Sequence, residues 1–319
     1  MQQLVTRLVA FGKAHPLLLL ARVVVVAALL YVFVILRVFW TPDTLFIALF
    51  ILFVIFGQAK AFVIRFLPFI ALLLVYDSFR GLADNLNHAV HYQQMISFDT
   101  WLGSGTLPTA WLQQHLWHGH VMWYDFYFYF LYTIHFVAPV VLAVIIWKKR
   151  DELYWPFVAA LVGLSFAAFI TYVLFPAAPP WMASQNHFIP HIQRISSDIW
   201  AAMGVENFSE VYGKLSPNEV AAVPSLHAAY PLLFLLFLAK VFSWRRVWWL
   251  AVYPISVWLG VVYLSEHYVF DVLLGILYAL VAYTVTMRVY AVSQRRHWTW
   301  RSLVPHLHRV TIGVHPEKR

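Results

Sequence analysis

The sequence contains no cysteine. That absence excludes disulfides, thiolate metal sites and a cysteine nucleophile, and it leaves the redox compartment open. Charge is scarce as well. Only 11% of the 319 residues are Asp, Glu, Lys or Arg, against about 25% in a soluble domain. No internal repeat and no cofactor motif is visible. What fills the chain instead is apolar: 62% of the residues, with a mean hydropathy of +0.71. This composition predicts an all-α integral membrane protein that crosses the bilayer several times.

Eight apolar segments predict roughly eight transmembrane helices, over 17–40, 44–57, 62–79, 121–147, 153–175, 224–242, 247–264 and 268–290. A helix needs about 20 residues to cross some 30 Å, so 44–57 is short and reads as a tight hairpin with its successor. The first run is too long for the h-region of a cleavable signal peptide, about 7–15 residues, and reads as a span. Stretch 81–120 is polar and suits short interfacial helices. Stretch 176–223, interrupted by Pro179, Pro180, Pro190 and Pro217, reads as a long loop. The expected organisation is N-terminal helices over 1–60, a catalytic membrane domain over 61–292 and a basic tail over 293–319.

Basic residues set the orientation. With the N-terminus inside, the inner face holds Arg7, Lys13, Lys60, Lys148, Lys149, Arg150, Arg245, Arg246 and the basic tail; the outer face holds Arg37, Arg80, Arg194 and Lys214. Both termini are then expected in the cytoplasm, with the chain in the plasma (inner) membrane. The starts of the segments at 224 and 268 face outward, so a site built there is extracytoplasmic.

Those two starts carry the chemistry. His267 and Asp271 are four residues apart, which places them one turn apart on one helix face. An intramembrane carboxylate is a functional candidate. Bonded to one ring nitrogen, it fixes the tautomer and leaves the other nitrogen as a nucleophilic lone pair. A structural His–Asp pair between helices is the competing reading. In Pro224-Ser225-Leu226-His227, Pro suits a first helical position. Ser225 and His227 then stand where N–H groups and the dipole favour an anion, able to hold a phosphate oxygen and protonate a leaving alkoxide. A proline helix start with a histidine at the interface is the plainer alternative. Two such starts on one side favour chemistry jointly.

These motifs resemble the type 2 phosphatidic acid phosphatase superfamily of lipid phosphatases and phosphotransferases, over roughly residues 76–290. The resemblance implies a six-helix phosphatase-like core. It makes His267 a nucleophile that forms a phosphohistidine, Asp271 its orienter, His227 the acid/base and Ser225 a phosphate ligand. Leu226 stands where the family usually has glycine. Val261 stands where it has an arginine, and its Lys-x6-Arg-Pro motif is missing, so the phosphate needs another cation. Arg80, in Tyr76-Asp77-Ser78-Phe79-Arg80-Gly81, is the best substitute because its planar fork suits phosphate; Asp77 or Asp84 would position it. Without the resemblance Arg80 reads equally as a headgroup contact. Asp-x-x-Arg-Gly, Ala178-Pro179-Pro180-Trp181 and Pro-Ser-Leu-His together look like the branch of inositol-phosphorylceramide synthases.

Asp125, Tyr129, Tyr132 and His135 fall on the fourth segment, as a headgroup-cavity lining or as a packing face. The expected substrate-binding set is Ser225, Arg80, Asp77, Tyr76 and His135. His88 and His91 alone have metal-ligand spacing, and no acidic cluster joins them, so no metal and no cofactor is expected. The expected partners are a phospholipid or isoprenoid phosphate and the bilayer; nucleic acid is not expected, and no protein partner is implied. Transfer to a hydroxyl acceptor is the favoured activity, hydrolysis of a lipid phosphate the alternative, and a non-enzymatic lipid transporter the third.

Overall fold

A computed structural model describes residues 16–31, 42–204 and 218–295. Among these the chain is helical, with no strands and only two isolated bridges. Among the described residues, four helices are long and apolar enough to cross a membrane, and a fifth if one bent pair counts as a single span. The protein is therefore an all-α, multi-pass membrane protein. The chain divides into two compact units, Met1–Ala71 and Leu72–Arg319.

The first unit holds α1 (Pro16–Leu30), α2 (Pro42–Ile55) and the first part of α3 (Ala59–Leu86). Gly57, at φ +69°, makes the tight turn between α2 and α3, a conformation that favours glycine. Phe53 stacks on Phe62 across this turn, 4.7 Å between ring centroids.

In the second unit, the polar stretch after α3 forms α4 (Gln93–Leu102) and α5 (Pro108–Leu116). The fourth apolar segment is not one straight helix. It is α6 (Trp123–Thr133) and α7 (Ala138–Lys149), bent by 58° about a 3₁₀ turn at Ile134–Phe136. Pro139 opens the second half and cannot donate to the carbonyl four residues back. An unbroken apolar composition conceals this break. Then follow α8 (Tyr154–Leu174), α9 (Pro180–Gln185), α10 (Ile195–Ala202), α11 (Leu226–Phe242), α12 (Trp244–Val247), α13 (Val252–Tyr263) and α14 (Val269–Arg295). The long loop after α8 thus contains two short helices, and Pro180 starts one of them at a first helical position. Of the basic tail, 296–319 lies outside the described residues, and α14 runs through Arg295.

Helices α11 and α14 pack closely along one another. A Cβ added at Gly275 would meet the Ser225 carbonyl oxygen at 2.3 Å, so only glycine permits this approach. Close backbone contact through small residues is how membrane helices gain packing energy without a hydrophobic drive. Several polar side chains inside the bundle find partners, as hydrocarbon favours. Ser165 bonds Tyr230 at 2.6 Å and Thr171 bonds Tyr278 at 2.7 Å. The Tyr172 hydroxyl donates to the Pro224 carbonyl at 2.9 Å, and the Trp258 indole to the Ala228 carbonyl at 3.0 Å.

Over one end of the bundle lies a cap of short helices and loops. His91, Ala177 and Ala221 align side by side in two parallel bridges. Gln113 clasps the layer together: its amide donates to the carbonyls of Gln193 (2.8 Å) and Tyr263 (3.0 Å), and its oxygen accepts from Gln193 N (2.9 Å).

Candidate active site

The two motifs meet under this cap. Ser225, not Pro224, ends the loop: it is the N-cap of α11, and its hydroxyl accepts from Ala228 N at 3.2 Å. That bond satisfies one of the donors left open at a helix start. His227 is then the second helical residue. His267 lies in the link between α13 and α14, two residues before α14 begins. The four-residue spacing therefore brings His267 and Asp271 together across a helix start, not along a helix face. The Ser225 amide donates to the Asp271 carbonyl at 3.1 Å, which ties the two starts together.

Three side chains form a continuous line. Asp271 Oδ2 is 3.3 Å from His267 Nδ1, and His267 Nε2 is 3.2 Å from His227 Nδ1. Asp271 Oδ2 also accepts from Tyr268 N at 2.8 Å. Asp271 is fully buried and His267 nearly so. Among the described residues, His227 Nε2 and Asp271 Oδ1 are buried without a hydrogen-bond partner.

The His227 ring is held in a stack. Tyr132 lies 4.1 Å from it at an interplanar angle of 19°, and His135 lies 4.3 Å away at 32°. His135 comes from the bend between α6 and α7, which turns it toward His227. Asp125 and Tyr129 do other work. Asp125 accepts from Tyr263 (2.6 Å) and from Met122 N (2.7 Å), while Tyr129 accepts from the Trp200 indole. These two fit the packing-face reading, and Tyr132 faces the histidines.

Arg80 pairs with Asp77 at 3.1 Å; its side chain is 15% exposed, that of Asp77 59%. The charge of Arg80 acts on Tyr76, Tyr172, Tyr230, His135 and His227. Tyr76 is buried, with its ring edge-on to Phe166 at 6.0 Å. The fold thus gathers His227, His267, Asp271, Ser225 and His135 in one place, with Arg80 and Tyr76 in electrostatic range. His91 stacks on Phe175 at 4.0 Å and takes part in the bridges of the cap.

Two supports escape a motif search. Asp99, from α4, accepts from Val269 N (2.8 Å) and Phe270 N (3.0 Å) and so caps the helix that carries Asp271. Burial pushes its carboxyl up to about 6; the two N–H bonds pull the other way, and Asp271 adds a like charge. Glu266, next to His267, binds Arg194 through both oxygens (3.1 and 3.3 Å) and accepts from Ser196. The Arg194 guanidinium lies 3.8 Å above the Trp181 ring. An acid beside a candidate nucleophile in an apolar turn demands a cation, and Arg194 supplies it.

A family model for the PAP2 superfamily matches residues 93–285, more than half of the chain. The chain belongs to the PAP2 superfamily. Several curated proteins are similar to it. A phosphoinositol dihydroceramide synthase of Bacteroides thetaiotaomicron is 32% identical over 142 residues, 43% of this chain and 46% of that protein. The inositol phosphorylceramide synthase catalytic subunit of Schizosaccharomyces pombe is 25% identical over 166 residues, covering 49% and 38%. An inositol phosphorylceramide synthase of Candida albicans is 26% identical over 175 residues, covering 49% and 34%. The chain thus spans less than half the length of these relatives. No solved structure matches it significantly. The PAP2 match includes every residue of the histidine–aspartate line and ends inside α14, while Arg80 lies upstream of it.

Proposed function

We propose that this PAP2 protein is a lipid phosphotransferase that moves a phosphorylated headgroup from a phospholipid to a hydroxyl acceptor through a phosphohistidine on His267. The observation that carries this reading is the line Asp271–His267–His227, with contacts of 3.3 and 3.2 Å. It supplies an oriented nucleophile and, on the nucleophile's far nitrogen, a second histidine able to give and take a proton. Similarity to phosphoinositol dihydroceramide and inositol phosphorylceramide synthases supports the class of reaction.

In the first step His267 Nε2 attacks phosphorus. The bond from phosphorus to the donor's alcohol oxygen breaks, and His227 gives that oxygen a proton. In the second step the acceptor hydroxyl gives its proton to His227, its oxygen attacks phosphorus, and the P–N bond breaks. Asp271 stabilises the positive charge on the phosphorylated ring. Arg80, held by Asp77, and Ser225 bind the phosphate oxygens, with Tyr76 and His135 lining the same pocket. Positioning and charge stabilisation carry most of such catalysis. Substrate must part the two histidines, because reacting atoms approach to about 3–3.5 Å before reaction and phosphorus has to stand between them.

The basic residues favour one orientation. Arg245 and Arg246 sit beyond the far end of the 17-residue α11, some 25 Å from His227 at 1.5 Å per residue. By the positive-inside rule this arrangement supports a cytoplasmic location for that end and an extracytoplasmic site. The test is chemical. Purified protein in nanodiscs, given phospholipid labelled in its phosphate, should yield acid-labile, base-stable labelled protein and a new lipid only when an acceptor alcohol is present. His267→Ala should do neither. Equal turnover in His267→Ala sinks the mechanism, and product release with water alone converts the transferase into a phosphatase.

A further inference from the structure

Among the described residues six tryptophans are more than half exposed, in two sets. Trp244, Trp248 and Trp249 flank Arg245 and Arg246 beyond the end of α11. Trp101, Trp111 and Trp123 stand at the end that carries the histidines, on α4, on α5 and at the start of α6. Each of these helices is bonded there: Asp99 of α4 to the start of α14, Gln113 of α5 to the Tyr263 carbonyl and Asp125 of α6 to the Tyr263 hydroxyl. An exposed tryptophan suits a membrane–water boundary, where the ring is buried and its N–H stays wet. One set at each end of the membrane helices fits the two faces of a bilayer.

Two of the three tryptophans at the histidine end belong to the cap. Leu102 and Trp111 share a groove wall with Leu259 of α13, and all three are exposed. The apolar surface of the bundle therefore continues onto α4 and α5, and this continuity makes the bilayer, not a protein, the partner of that face. Residues 93–123 contain one acid, Asp99, and no lysine or arginine; Asp99 is fully buried. The exposed face thus carries no carboxylate, ammonium or guanidinium and needs no anionic lipid. Helix α4 exposes Gln93, Gln94 and Ser97 in its first turns and Trp101 and Leu102 at its end, so it enters the boundary with its C-terminal end.

The buried side of α4 holds the helix that carries Asp271. Asp99 accepts from Val269 N and Phe270 N. The Phe98 ring packs on Trp101 at 5.8 Å and edge-on to Phe270 at 5.2 Å, so a chain of rings runs from the exposed rim to the residue before Asp271. Gly103, where a Cβ would meet the Thr106 carbonyl oxygen at 2.0 Å, closes α4 tightly onto α5. We propose that Trp101 and Leu102 seat α4 in the headgroup layer of the bilayer, and that this seat holds the start of α14, and with it His267 and Asp271, in place. The seat is independent of the chemistry; its bearing on turnover rests on the proposed transfer reaction.

The chain has no cysteine, so a single introduced cysteine reports on one position. Gln94→Cys and Ser104→Cys, both at exposed positions, are labelled with bimane in full-length protein in phosphatidylcholine nanodiscs, with a nitroxide-bearing phosphatidylcholine as quencher. The label at 104 should be quenched strongly and the label at 94 weakly, at low and high salt alike. Hydrogen exchange then reads the hold on α14. In Trp101→Ala the amides of 269 and 270 should exchange about tenfold faster, the order of one ring's lost burial, while 276–290 keeps the wild-type rate; Trp101→Tyr should restore the protection. Weak quenching at 104, as on a face that awaits a protein, overturns the seat. Wild-type exchange at 269 and 270 in Trp101→Ala overturns its hold on α14. A wild type that shows both the quenching and the protection yet transfers no headgroup refutes the proposed function and leaves this inference standing.

Discussion

Replacing Asp271 by Asn tests the electrostatic part of the mechanism without dismantling its geometry. Asp271 Oδ2 receives two hydrogen bonds, from the His267 ring and from Tyr268 N. An asparagine can keep both only by placing its oxygen there, because the flipped amide would turn its NH2 against the Tyr268 N–H. The NH2 then occupies the position of Oδ1, which has no partner among the described residues, and burying it costs about 1–3 kcal/mol of stability. The tautomer of His267 is preserved, so the loss in rate is one of charge. When phosphorus bonds to Nε2, the ring becomes cationic with its centre about 4 Å from the carboxylate, and unit charges at that distance interact by about 4 kcal/mol at an effective dielectric of 20. That corresponds to about a thousandfold in rate. Rapid-quench measurement of single-turnover phosphoenzyme formation reads this directly, with a thermal melt to confirm folding. A folded Asp271→Asn protein that forms phosphoenzyme within tenfold of the wild-type rate would refute the reasoning, because Asp271 would then act only as a structural bond.

Further perturbations separate other roles. Ser225→Ala should cost about 1 kcal/mol through the lost cap, and Ser225→Gly only a few tenths. Equal loss of activity in both variants identifies the hydroxyl as a phosphate ligand, while loss that tracks melting temperature identifies it as a cap alone. The Asp99 carboxyl, raised by burial to about 6, takes up a proton more readily in the folded protein than in the unfolded chain. Its stabilising effect is present at low pH and is lost as pH rises through about 6. Acidification from pH 7 to 5 should therefore stabilise the wild type by about 1.4 kcal/mol relative to Asp99→Asn, one pKa unit of differential proton binding, as read by melting curves at both pH values. Glu266→Gln leaves the mostly buried Arg194 without its anion and should cost about 3–5 kcal/mol, with faster proteolysis at 181–194; replacing Arg194 by Met in the same protein should recover most of that loss.

How much of this was legible in the sequence depends on the range of each interaction. The apolar runs were legible because the bilayer imposes their length. Among the described residues helix is found in each run, with 32–40 of the first lying outside them, but only four or five helices meet the length and hydropathy of a span, so the expected count of eight is not confirmed; the 17-residue α11 is shorter than an ordinary span. His227, His267 and Asp271 were legible because polar groups at helix starts in so apolar a chain are conspicuous. The bend at Ile134–Phe136 was not, since a run of apolar residues has the same composition straight or broken. Asp99 and Arg194 were invisible as supports for a different reason. Their partners lie 170 and 72 residues away, and no local pattern encodes such a pairing. Ser225 shows the same limit at short range: proline at 224 marks a helix start to within a residue, but whether the serine caps or follows it depends on backbone geometry.

The close approach at Gly275 extends the chemical motif by one turn. His267, Asp271 and Gly275 recur every four residues, so the signature of this site is His-x3-Asp-x3-Gly, with the glycine as much a part of it as the histidine. A homologue with the first two residues and a larger third must carry its two helix starts further apart. The bond from the serine amide to the aspartate carbonyl, 3.1 Å here, would then be strained or lost. On the proposed mechanism, this glycine is what allows the proposed acid and nucleophile to rest in contact.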